Sequence, residues 1–292
     1  MSFLAIALVL LSATIHATWN LLAHSQKLSG TLLLRFHWLT GLVGLIPILL
    51  GELKGNPLPP AAWGLVVLTG LLQSFYFLGL MMGYRNGNFS IVYPVARALP
   101  ILFLAFFDVA RGQFPSPIGW LGIILVLIGC ILIPLKSLRT IKLADYWNKS
   151  TIWILMIMFA TVGYTAVDKL ASEILTPGAE ASARYAFLQA IFTVPFLWIV
   201  LKLIEEPMDK ETGLASWKWS ALFAFFVFIS YWLMLWAFQL SPYISYLSAL
   251  RQFSLVIGVL FAGLFLKEKV PPLRIGAAAV IVLGMFCISQ AS

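Results

Sequence analysis

Ten stretches of nearly continuous apolar residues, separated by short polar breaks, run along this chain. They cover Phe3 to Ala23, Thr31 to Leu50, Ala61 to Met82, Ser90 to Ala110, Ile118 to Leu135, Ile152 to Leu170, Ala181 to Leu201, Trp217 to Phe238, Ile244 to Leu266 and Leu273 to Ser289. A membrane-spanning helix needs roughly 20 apolar residues, so the pattern predicts ten transmembrane helices. The longest breaks, Lys136 to Thr151 and Lys202 to Ser216, are too short to build a soluble core. The first of them divides the chain into segments 1–135 and 152–292, with a linker over 136–151. The first apolar run has no Lys or Arg ahead of it and carries His16, Trp19 and Asn20, so it reads as a permanent helix and not a signal peptide.

Composition agrees with the pattern: 61% of the 292 residues are hydrophobic, 10% are charged, and the mean hydropathy is +0.97. Such a chain lacks the polar surface to cover a water-soluble globule. The net charge of +8 comes from Lys and Arg scattered over the turns, which points to loops facing an anionic leaflet and away from a nucleic-acid partner. Basic residues concentrate after odd-numbered spans, so the positive-inside rule puts both termini outside the cytoplasm. Cys130 and Cys287 lie inside apolar runs with no metal or redox spacing and read as packing residues.

The chain also repeats itself. An ungapped shift of 154 residues lays Arg97 on Arg251, Trp63 on Trp217, Phe107 on Phe261, Pro117 on Pro271 and Gly122 on Gly276. Earlier spans match at slightly smaller shifts, with Arg35 to Leu39 resembling Arg184 to Leu188, and His16 to Ala23 resembling Tyr164 to Ala171. Each copy holds five spans, an odd number, so the second must enter the membrane from the opposite side. The expected fold is all-α and membrane-integral, with ten transmembrane helices forming two inverted five-helix repeats. In such proteins the substrate site lies near the midplane between the halves.

Four segments carry a resemblance: His16-Ala17-Thr18-Trp19-Asn20, Gly87-Asn88-Phe89-Ser90-Ile91-Val92-Tyr93-Pro94-Val95-Ala96-Arg97, Ser248-Ala249-Leu250-Arg251-Gln252, and Leu266-Lys267-Glu268. On these the chain resembles the ten-helix EamA-type members of the drug/metabolite transporter superfamily over nearly its whole length. The first and second segments are also similar to a subgroup associated with phosphonate utilisation. The chain departs from the family pattern at Arg111-Gly112-Gln113, where a Glu is common. The resemblance implies a small-molecule carrier in the cell membrane, expected to be a bacterial inner membrane, with both termini in the cytoplasm. That opposes the charge count, and orientation stays open.

Residues four apart share a helix face, so His16 with Asn20, Tyr93 with Arg97, and Tyr164 with Asp168 form polar stripes expected to look inward. Arg97 and Arg251 could hold a carboxylate or phosphonate through forked hydrogen bonds. The alternative is that each pairs with a carboxylate or helix-end carbonyls to lock the bundle. Asp108 and Asp168 are the only acids in the predicted spans. Asp168 is a candidate for coupling to protons or for a structural role, while Asp108, beside Arg111, reads as interfacial. Arg35 and Arg184, close to helix starts, are expected to snorkel. Trp19, Trp232, Tyr246 and Gln252 complete the candidate lining of a substrate pocket. Pro94 and Pro100 are expected to bend the fourth span beside Arg97, and Gly79 with Gly83 to let the third pack closely.

No phosphate-binding loop, HExxH or GxSxG occurs, so direct ATP use, zinc peptidase chemistry and serine-hydrolase chemistry find no support. The leading expectation is a secondary transporter moving a small anionic or zwitterionic metabolite, such as an amino acid, organic acid or phosphonate. A membrane enzyme and a non-transporting receptor or scaffold are the alternatives. The expected partners are the bilayer, the substrate and protons, with a monomer as the working assembly and no cofactor or metal.

Overall fold

The computed structural model describes residues 1–25, 28–85, 89–135, 151–208, 214–264 and 270–291, and only the backbone of residues 21–25, 89–96, 214–216 and 264. The Gly87-Asn88 and Leu266-Lys267-Glu268 stretches, nearly all of the 136–151 linker and the side chain of Tyr93 lie outside the described residues.

The described residues form α1 (Phe3–Ser25), α2 (Gly30–Leu53), α3 (Pro60–Arg85), α4 (Phe89–Ala110), α5 (Pro117–Leu132), α6 (Thr151–Ile174), α7 (Ala179–Leu203), α8 (Leu214–Gln239), α9 (Ile244–Leu250), α10 (Phe253–Leu264) and α11 (Pro272–Gln290). Because α9 and α10 together make one span, these are ten membrane spans in two inverted five-helix repeats. Eight spans are long and apolar enough to cross a membrane on length and composition, and α5 is shorter. The fifth span ends at Leu132: Ile133 keeps helical backbone angles and its amide still bonds the Gly129 carbonyl, but Pro134 has no amide with which to continue the ladder.

The largest helix–helix contacts recur when the halves are exchanged. α3 lies on α6 as α8 lies on α1, α3 on α7 as α8 on α2, and α4 on α6 as α10 on α1. α5 meets α11, α2 meets α7 and α4 meets α9 across the pseudo-two-fold axis itself. Small and polar residues sit at these seams, as expected where lipid tails compete for apolar contact. Ser12 Oγ donates to the Ser230 carbonyl at 2.6 Å and Ser230 Oγ returns a bond to Ser12 at 3.2 Å, tying α1 to α8. A Cβ on Gly79 would lie 2.9 Å from Ile157, so this glycine serves the α3–α6 contact.

The α5–α11 crossing corrects the repeat register. A Cβ on Gly122 would come 2.7 Å from the Gly284 carbonyl, and one on Gly129 2.8 Å from the Ala277 carbonyl. These two contacts are images of each other only if Gly129 corresponds to Gly284 and Gly122 to Ala277, a shift of 155. The helix starts agree, since Pro117 then falls on Pro272 and not on Pro271.

The ninth span is broken at Arg251–Gln252. Arg251 N still bonds the Leu247 carbonyl, but Gln252 N bonds Ala249, Ser254 N bonds Arg251 and Leu255 N bonds Gln252, a tighter i→i−3 run. The Gln252 side chain explains the switch: its Nε2 donates to the Ser248 carbonyl at 3.2 Å, replacing its own backbone amide in the ladder.

Buried apolar residues form two clusters. The larger includes Leu104, Phe238 and Tyr246 toward the membrane face that carries the N-terminus; the smaller includes Leu33, Phe77, Leu201 and Phe223 toward the opposite face. Between them lies a chamber.

Candidate functional site

Two adjoining cavities of about 70 and 50 Å³ occupy the centre and share His16, Tyr76, Tyr164 and Arg251 in their walls. Their linings are related by the repeat. The first contains the equivalent pairs His16 and Tyr164, His37 and Ala186, Thr40 and Gln189, Gln73 and Val227, Phe77 and Tyr231, and the second contains Arg97 with Arg251. The chamber therefore straddles the pseudo-two-fold axis, with matched geometry but unlike chemistry on its two sides. This volume admits a few waters. At 1.5 Å per helical residue, Arg97 and Arg251 each lie roughly 11–12 Å in from opposite membrane faces, close to the middle of a ~30 Å hydrocarbon layer.

Arg251 reaches back across the repeat to α1. Its Nη2 approaches His16 Nδ1 at 3.3 Å, and the Trp19 indole Nε1 donates to the same nitrogen at 2.9 Å. Indole and guanidinium can only donate, so Nδ1 is the acceptor and the neutral ring carries its proton on Nε2. Arg251 also lies over the Tyr231 ring, 5.4 Å from its centre. Among the described residues no carboxylate stands at ion-pair distance from Arg251, and its Nε is buried without a hydrogen-bond partner. Arg97 donates from Nη2 to Ser254 Oγ at 3.1 Å, across the halves from α4 to α10. Asn20 donates to the His16 carbonyl at 2.8 Å and Gln252 to that of Ser248, while Asn20 Oδ1 and Gln252 Oε1 are buried and unpartnered.

Asp168 is the repeat equivalent of Asn20 and is fully buried. Its Oδ1 accepts from Gln189 Nε2 at 2.6 Å and Tyr185 Oη at 3.2 Å, and its Oδ2 accepts from Tyr231 Oη. Lys169, adjacent in sequence, faces elsewhere: its Nζ donates to the Phe238 and Ser241 carbonyls at 2.8 Å each and pairs with Glu173 at 3.2 Å. Asp168 is thus held by neutral donors alone among the described residues. Tyr231 joins the two charges, bonding Asp168 through its hydroxyl and supporting Arg251 with its ring.

The expected residues divide accordingly. His16, Trp19, Tyr164 and Arg251 line the first cavity, and His16, Arg97, Tyr164, Arg251 and Gln252 the second. Asn20, Asp168, Trp232 and Tyr246 line neither cavity: the Trp232 indole donates to the Ala179 carbonyl at 2.8 Å, and Tyr246 Oη accepts from Ser116 N at 3.2 Å near the N-terminal face. Arg184 does not snorkel. It is 1% exposed and donates to the Asn56 carbonyl at 2.7 Å, because the α2–α3 turn folds over it. Sequence reasoning passed over Thr40, Gln73, Gln189 and Tyr231, although applying the repeat shift to mid-span polar residues pairs Thr40 with Gln189.

The N-terminal face is closed by polar bonds between the halves. Asp108, expected at the interface, is fully buried and accepts from Ile244 N at 3.2 Å, Ser245 N at 2.9 Å and Ser245 Oγ at 2.6 Å. Arg111 pairs with Glu173, and Thr176 with Asn56 at 3.0 Å. Across the opposite face Arg85 pairs with Glu206 and Arg274 donates to the Pro134 carbonyl at 3.5 Å.

Comparison with known proteins adds three findings. The model of the EamA-like transporter family matches residues 3–135 and 148–290. No curated protein matches the chain. Several solved structures are similar; one of them, a crystal structure, matches at a TM-score of 0.69 and 17% identity, covering 98% of this chain and 97% of its own, a likeness of fold.

Proposed function

The chain belongs to the EamA-like transporter family, and on that premise we propose that it is a secondary carrier for a small anionic or zwitterionic metabolite, working by alternating access. One observation carries the reading: Arg251 lines a chamber on the pseudo-two-fold axis with a buried, unpartnered Nε and no carboxylate beside it among the described residues. A permanently charged group in the membrane interior costs at least ~2.5–3.5 kcal/mol on insertion scales. A substrate carboxylate or phosphonate offsets that cost by completing the guanidinium fork, with Arg97 and the His16 Nε2–H as neighbouring donors. Asp168 takes up and releases a proton during the cycle, and Tyr231 links its state to the position of Arg251. The two repeats, 1–135 and 152–292, rock about the axis with 136–151 as their linker. The setting is a bacterial inner membrane, the working unit a monomer, and no step makes or breaks a covalent bond in the substrate.

A thermal-shift screen of the purified protein against amino acids, phosphonates and nucleosides tests this, because a ligand bound only by the folded state raises its stability. Stabilising compounds are then assayed for counterflow in proteoliposomes. An anionic or zwitterionic compound is expected to stabilise the wild type, to exchange across the membrane, and to lose both effects in Arg251→Ala. Equal stabilisation and exchange in Arg251→Ala would remove this residue from the site.

A further inference from the structure

A groove of about 590 Å³ runs along the outside of the bundle between α2 and α7, lined by Trp38, Leu42, Leu45, Phe192, Pro195 and Trp198 among others. It faces the bilayer, with Trp38 55% and Trp198 48% exposed. His37 lines both this groove and the central chamber. The two helices approach closely here, since a Cβ on Gly41 would lie 2.9 Å from Ile191.

The groove has a charged end. Lys202 lies one turn beyond Trp198, with its Nζ 4.3 Å from that ring's centre, and is exposed. Arg35 lies one turn before Trp38, over Trp217 at 5.0 Å. α2 begins and α7 ends on the face opposite the N-terminus, so both cations stand at the same membrane surface. On that surface Glu206 is already tied to Arg85, and Glu205 lies past the end of α7. We propose that this groove is a binding site for a membrane phospholipid with an anionic headgroup. An acyl chain fills the apolar trough beside His37, while the headgroup phosphate meets Lys202 and Arg35. Cations near the membrane surface each favour an anionic lipid, and apolar lining against an acyl chain replaces a void that would otherwise forfeit dispersion contacts.

The test offers the delipidated, purified protein equal amounts of phosphatidylglycerol and phosphatidylcholine with identical acyl chains and reads the retained lipid by native mass spectrometry. The wild type is expected to keep one phospholipid, with a preference for phosphatidylglycerol of about tenfold or more. Leu42→Trp with Leu45→Trp, both at exposed positions, fills the trough and should abolish retention of either lipid without lowering the melting temperature. Lys202→Glu should keep binding but lose the preference. Equal retention of both lipids by the wild type, or retention that survives the two tryptophans, overturns the proposal. So does a dimer mass that the tryptophans abolish, which would assign the groove to a second copy of the chain.

Discussion

Replacing Asp108 by Ala removes three acceptor contacts at once. Ile244 N, Ser245 N and Ser245 Oγ donate to its carboxylate at 3.2, 2.9 and 2.6 Å, and the residue has no solvent exposure to admit a replacement water. Interhelical polar contacts inside membrane proteins average ~0.6 kcal/mol and reach ~1.7, so three of them set a loss of about 2–5 kcal/mol. The upper part of the range is favoured because the backbone amides of Ile244 and Ser245 are left buried without a partner. Asp108→Asn keeps one acceptor oxygen and should lose about half as much. Ser245→Ala removes only the hydroxyl bond, worth roughly 1 kcal/mol. Equilibrium unfolding of the purified variants, with Asp108→Ala and Ser245→Ala combined in a double-mutant cycle, measures these terms. The two changes share a contact and should combine with a coupling of at least ~0.5 kcal/mol. An Asp108→Ala protein as stable as the wild type, or strictly additive losses, would refute the reasoning that this carboxylate clamps the start of α9 to the end of α4.

Gly122→Ala and Gly284→Ala each force a Cβ to 2.7 Å from a backbone carbonyl and should cost about 1–3 kcal/mol in the same unfolding assay. Gly276→Ala, which meets nothing within 4 Å, should be nearly neutral. Tyr231→Phe keeps the ring under Arg251 but removes the hydroxyl that binds Asp168, so a stabilising anion should still bind while proteoliposome exchange loses its response to an imposed proton gradient. Asp168→Asn should lose the same response, and an unaltered response in both variants would separate Asp168 from coupling. Arg184→Ala leaves the Asn56 carbonyl without its donor and a void beneath the α2–α3 turn, and should lower stability by about 2–4 kcal/mol.

Much of this architecture can be read along the chain because hydrophobic length and repetition are local properties. The ten spans and the match of Arg97 with Arg251 follow from residues in order. The register at α5 and α11 escapes by one residue because adjacent prolines, Pro271 and Pro272, allow either alignment in the sequence, and the Gly122–Gly284 and Gly129–Ala277 contacts together decide between them. Asp108 reads as interfacial from its neighbour Arg111, while its side-chain hydrogen-bond partners lie 136 and 137 positions away. Tyr231 is one aromatic among many in α8, and nothing local marks it as the one that touches both Asp168 and Arg251. The break at Gln252 carries no Pro or Gly signal; it arises from a side-chain amide competing with its own backbone.

The central claim is a water-filled chamber between oppositely seated halves, reached from one side at a time. Its most direct test places a single cysteine at Thr40, in a protein carrying Cys130→Ala and Cys287→Ala, and follows labelling by a membrane-impermeant maleimide applied to either side of oriented proteoliposomes. Thr40 lines the chamber, whereas Leu42, two residues on, faces lipid. The account predicts that Thr40→Cys reacts far faster than Leu42→Cys and that a stabilising anion slows it. A Thr40→Cys protein that stays as unreactive as Leu42→Cys from both sides would contradict it.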